Sequence, residues 1–293
     1  MEHLRVNSTL KPFEPAFMFE FERQFQPGPN LIWFYNNWQL SIVFSVFLYV
    51  LLILVGQRIM RDRPAYDLRQ ALTAWSVGLA IFSWIGLLRG WEESYYMATT
   101  YGPKSIACDS VGFIGASGLW AWLFAASKLV ELGDTAFIVL RKQKLIFLHW
   151  YHHITVLLYT WYSYGCYTST GRCFLVMNYT VHAFMYTYYA LKASRLVRIP
   201  RKVNVCITIL QIMQMFMGII INLYAHQVLK SGEPCDVTWR NLEVSFVMYL
   251  SYFMLFANYF YRAYFAKQQE KLADKSDMQQ PRGQLNNGEK KTN

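Results

Sequence analysis

Long runs of apolar residues dominate the chain between about residue 38 and residue 265. A bilayer core about 30 Å thick requires about 20 apolar residues in each spanning helix. Seven segments approach this length: 38–56, 71–88, 119–140, 146–164, 174–191, 203–225 and 244–265. The pattern therefore predicts an all-α integral membrane protein with seven transmembrane helices in a single domain, residues 1–265. Residues 266–293 are polar and nearly free of aromatic residues, which predicts a disordered tail.

The composition supports a membrane protein over a soluble domain. Hydrophobic residues make up 54% of the chain and charged residues 16%, which is too apolar for an ordinary soluble protein. The mean hydropathy of +0.15 is modest because 21 Tyr and 10 Trp score as polar, and such rings suit membrane–water interfaces. The net charge of +10 could indicate nucleic-acid binding. The basic residues lie between apolar segments, however, so we predict no nucleic-acid partner.

The distribution of Lys and Arg predicts the orientation. Most of the 28 basic residues follow the first, third, fifth and seventh apolar segments, so the positive-inside rule places the tail in the cytosol and residues 1–36 in the lumen. Asn7 begins an Asn-Ser-Thr glycosylation sequon in that lumenal segment. Lys290 and Lys291 resemble a dilysine endoplasmic-reticulum retrieval signal. Chance occurrence remains an alternative for both motifs, but together they predict the endoplasmic-reticulum membrane.

The cysteines also fit this topology. Cys108, Cys166, Cys173 and Cys235 all fall in predicted lumenal loops, where an oxidising compartment permits disulfides. We predict a bond between Cys108 and Cys235, which would join the loop before the third helix to the loop before the seventh. The pairing Cys166–Cys173 is the alternative, and the spacing alone does not decide the connectivity.

Ionisable side chains are concentrated in three consecutive apolar segments, where they are costly and usually functional. Lys128, Glu131 and Asp134 recur every three residues and share one side of the third helix. A purely structural buried ion pair is an equally good interpretation of these three residues alone.

Histidines form the second group. His149, His152 and His153 lie within one arc of the fourth helix, because offsets of three and four residues return to the same face. Asn178 and His182 are four residues apart on the fifth helix. A lone histidine in a helix is usually a core residue. Three on one face indicate an active site.

These motifs together resemble the fatty-acid elongase family. The matching stretches are Lys-x-x-Glu-Leu-x-Asp-Thr at 128–135, His-x-x-His-His at 149–153, Asn-x-x-x-His-x-x-Met-Tyr-x-Tyr-Tyr at 178–189 and Thr-x-x-Gln-x-x-Gln at 208–214. The resemblance implies a condensing enzyme that joins a long-chain acyl-CoA to malonyl-CoA, giving 3-oxoacyl-CoA, CoA and carbon dioxide. It also implies that helices two to seven form a ring around an acyl tunnel. The His-Trp-Tyr-His-His box is most similar to the branch acting on saturated and monounsaturated chains of palmitate size.

The site residues divide into three expected roles. Soluble condensing enzymes use a cysteine as the acyl carrier, and no cysteine lies near this cluster, so we predict that a neutral imidazole, His152, is the nucleophile. His182 is expected to be its closest partner, with His149, His153 and Asn178 orienting the pair or stabilising an oxyanion. The residues expected to order the site's hydrogen bonds are Lys128, Glu131, Asp134, Tyr186 and Gln211. The residues expected to attract the phosphates of CoA are Arg141, Lys142, Lys144, Arg201 and Lys202, for which ordinary positive-inside topology is the alternative.

Two other classes of protein compete with this interpretation. Di-iron membrane oxygenases also carry His-x-x-His-His boxes, but two irons need more ligands than the four clustered histidines supply. The chain has six histidines, and His3 and His226 lie apart from the cluster. A seven-helix receptor or transporter would not need adjacent imidazoles, and a transporter would favour internal repeats. A single zinc or iron ion on the cluster stays an alternative, but nothing in the sequence requires one, so we predict no metal and no permanently bound cofactor. Malonyl-CoA is the co-substrate, and the expected partners are the enzymes that reduce and dehydrate the product, with self-association left open.

Overall fold

Every regular element in the computed structural model is helical within the part of the chain that it describes, which is Lys11, residues 13–110 and residues 114–266. The predictions for Asn7, Lys290, Lys291 and the tail beyond residue 266 lie outside these residues. The short helices are α1 (Glu20–Arg23), α2 (Pro27–Asn37) and α6 (Pro103–Cys108). The first long helix, Leu40–Met60, joins α3 (Leu40–Ile42), a π-helical stretch (Val43–Tyr49) and α4 (Val50–Met60). The remaining helices are α5 (Arg69–Tyr101), α7 (Gly115–Val130), α8 (Gly133–Leu140), α9 (Phe147–Gly165), α10 (Gly171–Ser194), α11 (Arg201–Lys230) and α12 (Trp239–Phe260), which continues as a π-helical stretch (Tyr261–Ala266).

Four of the described helices are long and apolar enough to cross a membrane: Leu40–Met60, Arg69–Tyr101, Arg201–Lys230 and Trp239–Ala266. The all-helical class is thus confirmed, whereas the count of seven spans stays a prediction. Helices α7 and α8 are each short, and α9 and α10 carry His, Thr and Tyr where a simple span would carry aliphatic residues. These four helices, which are too short or too polar to qualify as simple spans, carry the candidate site residues of the third, fourth and fifth predicted helices.

The predicted unbroken third helix over residues 119–140 is wrong. Helix α7 ends at Val130 and α8 begins at Gly133, with a turn at Glu131 and Leu132. A Cβ atom on Gly133 would lie 2.8 Å from the Trp75 ring, so the glycine allows α5 to approach at this turn. Hydrophobic periodicity cannot detect this break because the residues on both sides of it are apolar.

The second predicted helix, 71–88, is too short. Helix α5 runs to Tyr101, past the charged Arg89, Glu92 and Glu93. Glu93 is buried and accepts a 2.9 Å hydrogen bond from Arg172 Nε on α10. The hydropathy pattern predicts an end at residue 88 because a hydropathy scale scores every charged residue as if it were unpaired. Charged residues that pair with one another are tolerated inside the bundle.

The described segment before the first long helix packs onto the helix bundle. Glu22 lies near the end of α1 and is buried. Its carboxylate accepts hydrogen bonds from Trp120 Nε1 at 2.8 Å and from Arg89 Nη2 at 2.7 Å. On α2, the Phe34 ring lies edge-on to Trp161, with ring centroids 5.1 Å apart.

A disulfide joins Cys108 at the end of α6 to Cys235 in the loop before α12, and their Cα atoms are 4.3 Å apart. The Asp236 backbone N–H donates to the Cys108 carbonyl at 2.8 Å, and its carboxylate accepts from the Ser110 hydroxyl at 2.7 Å. The alternative pairing of Cys166 with Cys173 is wrong, since both are free thiols.

Candidate active site

Helix α9 brings three imidazole rings together near its beginning. His149 and His153 are one turn apart, with ring centroids separated by 4.4 Å, and His152 lies 5.5 Å from His153. His153 is buried, whereas His149 and His152 are half-buried. The spacing of three and four residues along an α-helix places them on this one face.

An apolar cavity runs from His152 through the interior of the bundle. Its lining comes from α7, α9, α10, α11 and α12, and on α9 it follows one face from His152 through Tyr159 to Tyr164. At the other end it reaches Thr168 and Gly171, where α10 begins. Helix α5 supplies no lining residue among those described. It packs along α10 instead.

His152 is the one histidine of the cluster that lines this cavity. Its ring packs against Tyr252 with centroids 5.0 Å apart, and the Tyr252 hydroxyl is already engaged by Thr155 Oγ1 at 2.5 Å. The His152 ring nitrogens form no hydrogen bond with any residue in the described part of the chain. Its imidazole therefore faces an apolar space with its nitrogens uncommitted.

His182 is held in a closed circuit of polar contacts. Lys128 Nζ donates to Glu131 Oε1 at 2.7 Å and to Asn178 Oδ1 at 2.8 Å. Asn178 Nδ2 lies 3.2 Å from His182 Nε2, and His182 Nδ1 lies 3.8 Å from Glu131 Oε1. All four side chains are buried.

The circuit determines the tautomer of His182. An ammonium group only donates, so the amide oxygen of Asn178 must face Lys128 and its NH₂ group must face His182. His182 Nε2 therefore accepts, and its proton lies on Nδ1, toward the Glu131 carboxylate. No hydrogen bond joins His182 to His152 among the described residues, and the expected partnership of the two imidazoles stays a prediction. Asn178 is the member that lines the cavity.

Asp134 has a different function from the other two charged residues. Its carboxylate accepts from Trp75 Nε1 and from the Tyr186 hydroxyl, each at 2.7 Å, and so joins α8 to α5 and α10. The role of Trp75 was not predicted from the sequence. A tryptophan within an apolar segment does not indicate that its N–H donates to a buried carboxylate 59 residues away.

Gln211 lies away from the cavity, where its side-chain NH₂ approaches the Met185 sulfur at 3.4 Å. Gln214, the last residue of the same motif, is buried and lines the cavity instead. One helical turn separates the two side chains, and the motif alone does not show which one faces inward.

Two of the five basic residues expected to bind CoA have partners within the protein. Lys142 Nζ donates to the carbonyls of Arg61 and Arg63, both at 3.0 Å. The Arg201 guanidinium lies over the Tyr264 ring at 5.6 Å. Lys144 and Lys202 are exposed, and Arg141 is half-buried. CoA binding by these residues stays a prediction.

Among the described residues, no three His, Cys, Asp or Glu side chains converge as metal ligands. The carboxylates nearest the imidazoles are already bound: Glu131 by Lys128, and Asp134 by Trp75 and Tyr186. The donor set therefore does not fit the two-iron centre considered above.

The molecule is thus a multi-pass helical membrane protein with an imidazole cluster at one end of an apolar cavity, features that suit an enzyme acting on long acyl chains. The sequence matches the ELO: GNS1/SUR4 family over residues 33–272. It is 46% identical to very long chain fatty acid elongase 6 of Drosophila melanogaster over 260 residues, 86% of this chain and 80% of that protein. The human protein of the same name is 46% identical over 250 residues, 85% of this chain and 93% of that protein. Human very long chain fatty acid elongase 3 is 41% identical over 261 residues, 88% of this chain and 92% of that protein.

The chain belongs to the ELO: GNS1/SUR4 family, the fatty acid elongases. It is accordingly an acyltransferase, and both the predicted resemblance and the predicted enzyme class are confirmed.

Proposed function

We propose that this elongase condenses a long-chain acyl-CoA with malonyl-CoA through an acyl-imidazole on His152. The observation that carries the proposal is that His152 alone of the clustered histidines lines the apolar cavity, with no hydrogen-bond partner for its ring among the described residues. A nucleophile needs both properties: a lone pair that no donor occupies, and a position beside the bound substrate.

The chemistry balances with His152 as the carrier. Its nitrogen attacks the thioester carbonyl, the acyl–sulfur bond breaks, and CoA leaves with the imidazole proton. Malonyl-CoA then loses carbon dioxide, and the resulting carbanion attacks the acyl-imidazole carbonyl. The new carbon–carbon bond gives 3-oxoacyl-CoA as the bond from the carbonyl carbon to the imidazole nitrogen breaks, and the departing imidazolate takes up one proton from solvent to restore the neutral imidazole. Asn178 also lines the cavity, and its side-chain NH₂ group is our candidate for stabilising oxyanion charge.

The length of the cavity lining along α9 matches an acyl chain of palmitate size. On α9 the lining extends from His152 to Tyr164, which is about 18 Å at a helical rise of about 1.5 Å per residue. A sixteen-carbon chain is also about 18 Å long if each bond advances about 1.2 Å, as in an extended backbone. The apolar wall matches an aliphatic chain and excludes water from the acyl-imidazole.

The same proposal covers the membrane arrangement. We expect seven spans with helices two to seven around the acyl tunnel, a lumenal N-terminus and a cytosolic tail in the endoplasmic-reticulum membrane. CoA would bind at the cytosolic helix ends, near Arg141 and Lys202. The 3-oxo product needs reduction, dehydration and a second reduction, so membrane enzymes of those classes are expected partners.

A two-stage incubation tests the mechanism. Palmitoyl-CoA alone should release about one equivalent of CoA per site, and mass spectrometry should locate a palmitoyl group on His152. Malonyl-CoA should then convert the adduct to 3-oxoacyl-CoA. The variant His152→Ala should lose both the adduct and turnover, whereas His226→Ala, an exposed histidine against Trp239, should retain both. CoA release that requires malonyl-CoA would indicate a direct ternary mechanism and overturn the acyl-histidine.

A further inference from the structure

The first long helix carries a single buried stripe. Ser41, Ser45, Tyr49 and Ile53 recur every four residues and are at most 9% exposed, whereas Phe47 beside them is 65% exposed. The π-helical stretch Val43–Tyr49 lies within this stripe. Because a π-helical turn contains more residues than an α-helical turn, residues four apart stay on the same face of this helix. Such π-helical stretches frequently occur at functional sites. This helix thus directs one tyrosine hydroxyl into the protein.

That hydroxyl is the start of a hydrogen-bond chain to the histidine cluster. The Tyr49 oxygen lies 2.6 Å from Thr135 Oγ1 on α8, and Thr135 Oγ1 lies 2.8 Å from His149 Nε2 on α9. Tyr49 is 2% exposed and Thr135 is fully buried. Three helices therefore meet at one hydroxyl group.

The number of hydrogens limits how this chain can be arranged. Thr135 has one hydroxyl hydrogen for two hydrogen bonds. Accepting both bonds would leave that buried hydrogen without an acceptor, so the two bonds run in the same direction. A phenol is a better donor than an aliphatic hydroxyl, and Tyr49 has no other acceptor among the described residues. Tyr49 therefore donates to Thr135, which donates to His149 Nε2. His149 is left with its proton on Nδ1.

The first long helix is also held against α8 in the turns that follow this contact. A Cβ atom on Gly56 would lie 3.0 Å from Val139, so the backbones approach closely there. Further along, the Tyr66 backbone N–H donates to the Leu140 carbonyl at 3.1 Å, and Lys142 Nζ caps the carbonyls that follow the helix. The position of Tyr49 is thus set by packing as well as by its hydrogen bond.

We infer that Tyr49, acting through Thr135, is a positioning residue that holds His149 in the Nδ1–H tautomer during condensation. The inference rests on the proposed function, since His149 contacts His153, and His153 contacts the proposed nucleophile His152. A helix that lines no part of the cavity then contributes to the order of the active site. Without the tyrosine hydroxyl, Thr135 can accept from His149 as well as donate to it, and both tautomers become populated.

The test combines kinetics with imidazole ¹⁵N NMR on the full chain in detergent. In histidine-labelled protein, with the His149 signals assigned by their loss in His149→Gln, Nε2 should resonate as an unprotonated nitrogen. Tyr49→Phe should move that signal toward the protonated position and lower kcat about 5- to 10-fold, the factor that corresponds to one net hydrogen bond of about 1 kcal/mol. KM for the acyl-CoA should not change, because no substrate contact is lost.

Three further variants separate positioning from general destabilisation. Thr135→Val should act like Tyr49→Phe, the double variant should be no worse than Thr135→Val, and Thr135→Ser should retain activity. Ser45→Ala removes a hydroxyl that bonds only to the Ser41 carbonyl on the same stripe, and it should leave kcat and the His149 signals unchanged. Multiplicative losses in the double variant, or a tautomer that Tyr49→Phe does not alter, would overturn the inference.

The two proposals fail differently. If His152→Ala still turns over substrate, the assignment of His152 as the nucleophile is wrong, but the measurement of the His149 tautomer stays valid. If His152→Ala is inactive and Tyr49→Phe is fully active, only the positioning role of Tyr49 is wrong.

Discussion

Lys128 Nζ lies 2.8 Å from Asn178 Oδ1 and 2.7 Å from Glu131 Oε1, which joins the turn between α7 and α8 to α10. One buried ammonium thereby neutralises a carboxylate and orients an amide. The structural and functional interpretations of this ion pair are therefore compatible, because the same contact stabilises the helix packing and sets the hydrogen bonding of His182.

Lys128→Met should destabilise the protein by about 3–5 kcal/mol, because it leaves the Glu131 carboxylate buried without its cation. Thermal unfolding in detergent would measure the loss, and Lys128→Met/Glu131→Gln should recover part of it. Lys104 and Glu233 form the matched control: their side chains are 34% and 58% exposed, so Lys104→Met should cost less than about 1 kcal/mol. Equal midpoints for the two lysine variants would contradict this account.

Asn178→Asp should reverse the hydrogen bond to His182. A carboxylate cannot donate, so His182 Nε2 would have to carry the proton, and kcat should fall about 10- to 100-fold, a loss of about 1.4–2.7 kcal/mol of transition-state stabilisation. Steady-state kinetics would show it, with KM for the acyl-CoA nearly unchanged. Activity close to that of the wild type would mean that the tautomer of His182 has no bearing on the reaction.

Reducing the bond between Cys108 and Cys235 should destabilise the protein by about 2–5 kcal/mol, because the bond closes a loop across a sequence separation of 127 residues. The unfolding midpoint with and without a reductant measures this effect. The double variant Cys108→Ser/Cys235→Ser should match the reduced protein and no longer respond to the reductant. A reductant effect that persists in this variant would have to arise elsewhere.

Gly171→Leu should shorten the longest acyl chain that the enzyme accepts. Gly171 lines the end of the cavity away from His152, and a Cβ atom there meets no atom within 4 Å. The first carbon of a leucine side chain therefore enters open space there, and the rest of the side chain should occupy that end of the cavity. Product profiles with acyl-CoAs of increasing length would test the expectation. Gly78→Leu is the control, since Gly78 also has free space but lies on α5, outside the cavity lining. The same product profile for both variants would refute this position for the end of the chain.

The sequence alone determined the helical class, the family and the imidazole cluster. These follow from local properties, namely long apolar runs and the spacing of three and four residues that places His149, His152 and His153 on one face. Motif positions such as Asn178 and Lys128 were also recognisable, because ionisable and amide side chains are conspicuous within apolar segments.

Only the tertiary structure decided which of these residues touch. The break at Glu131 depends on packing between Gly133 and Trp75, and the long α5 depends on the pairing of Glu93 with Arg172. The polar circuit around His182, and the hydrogen bond that joins Tyr49 to the site, likewise depend on how helices distant in sequence are packed. Hydrophobic patterns describe each helix relative to its own axis, so contacts between helices appear only when the chain is folded.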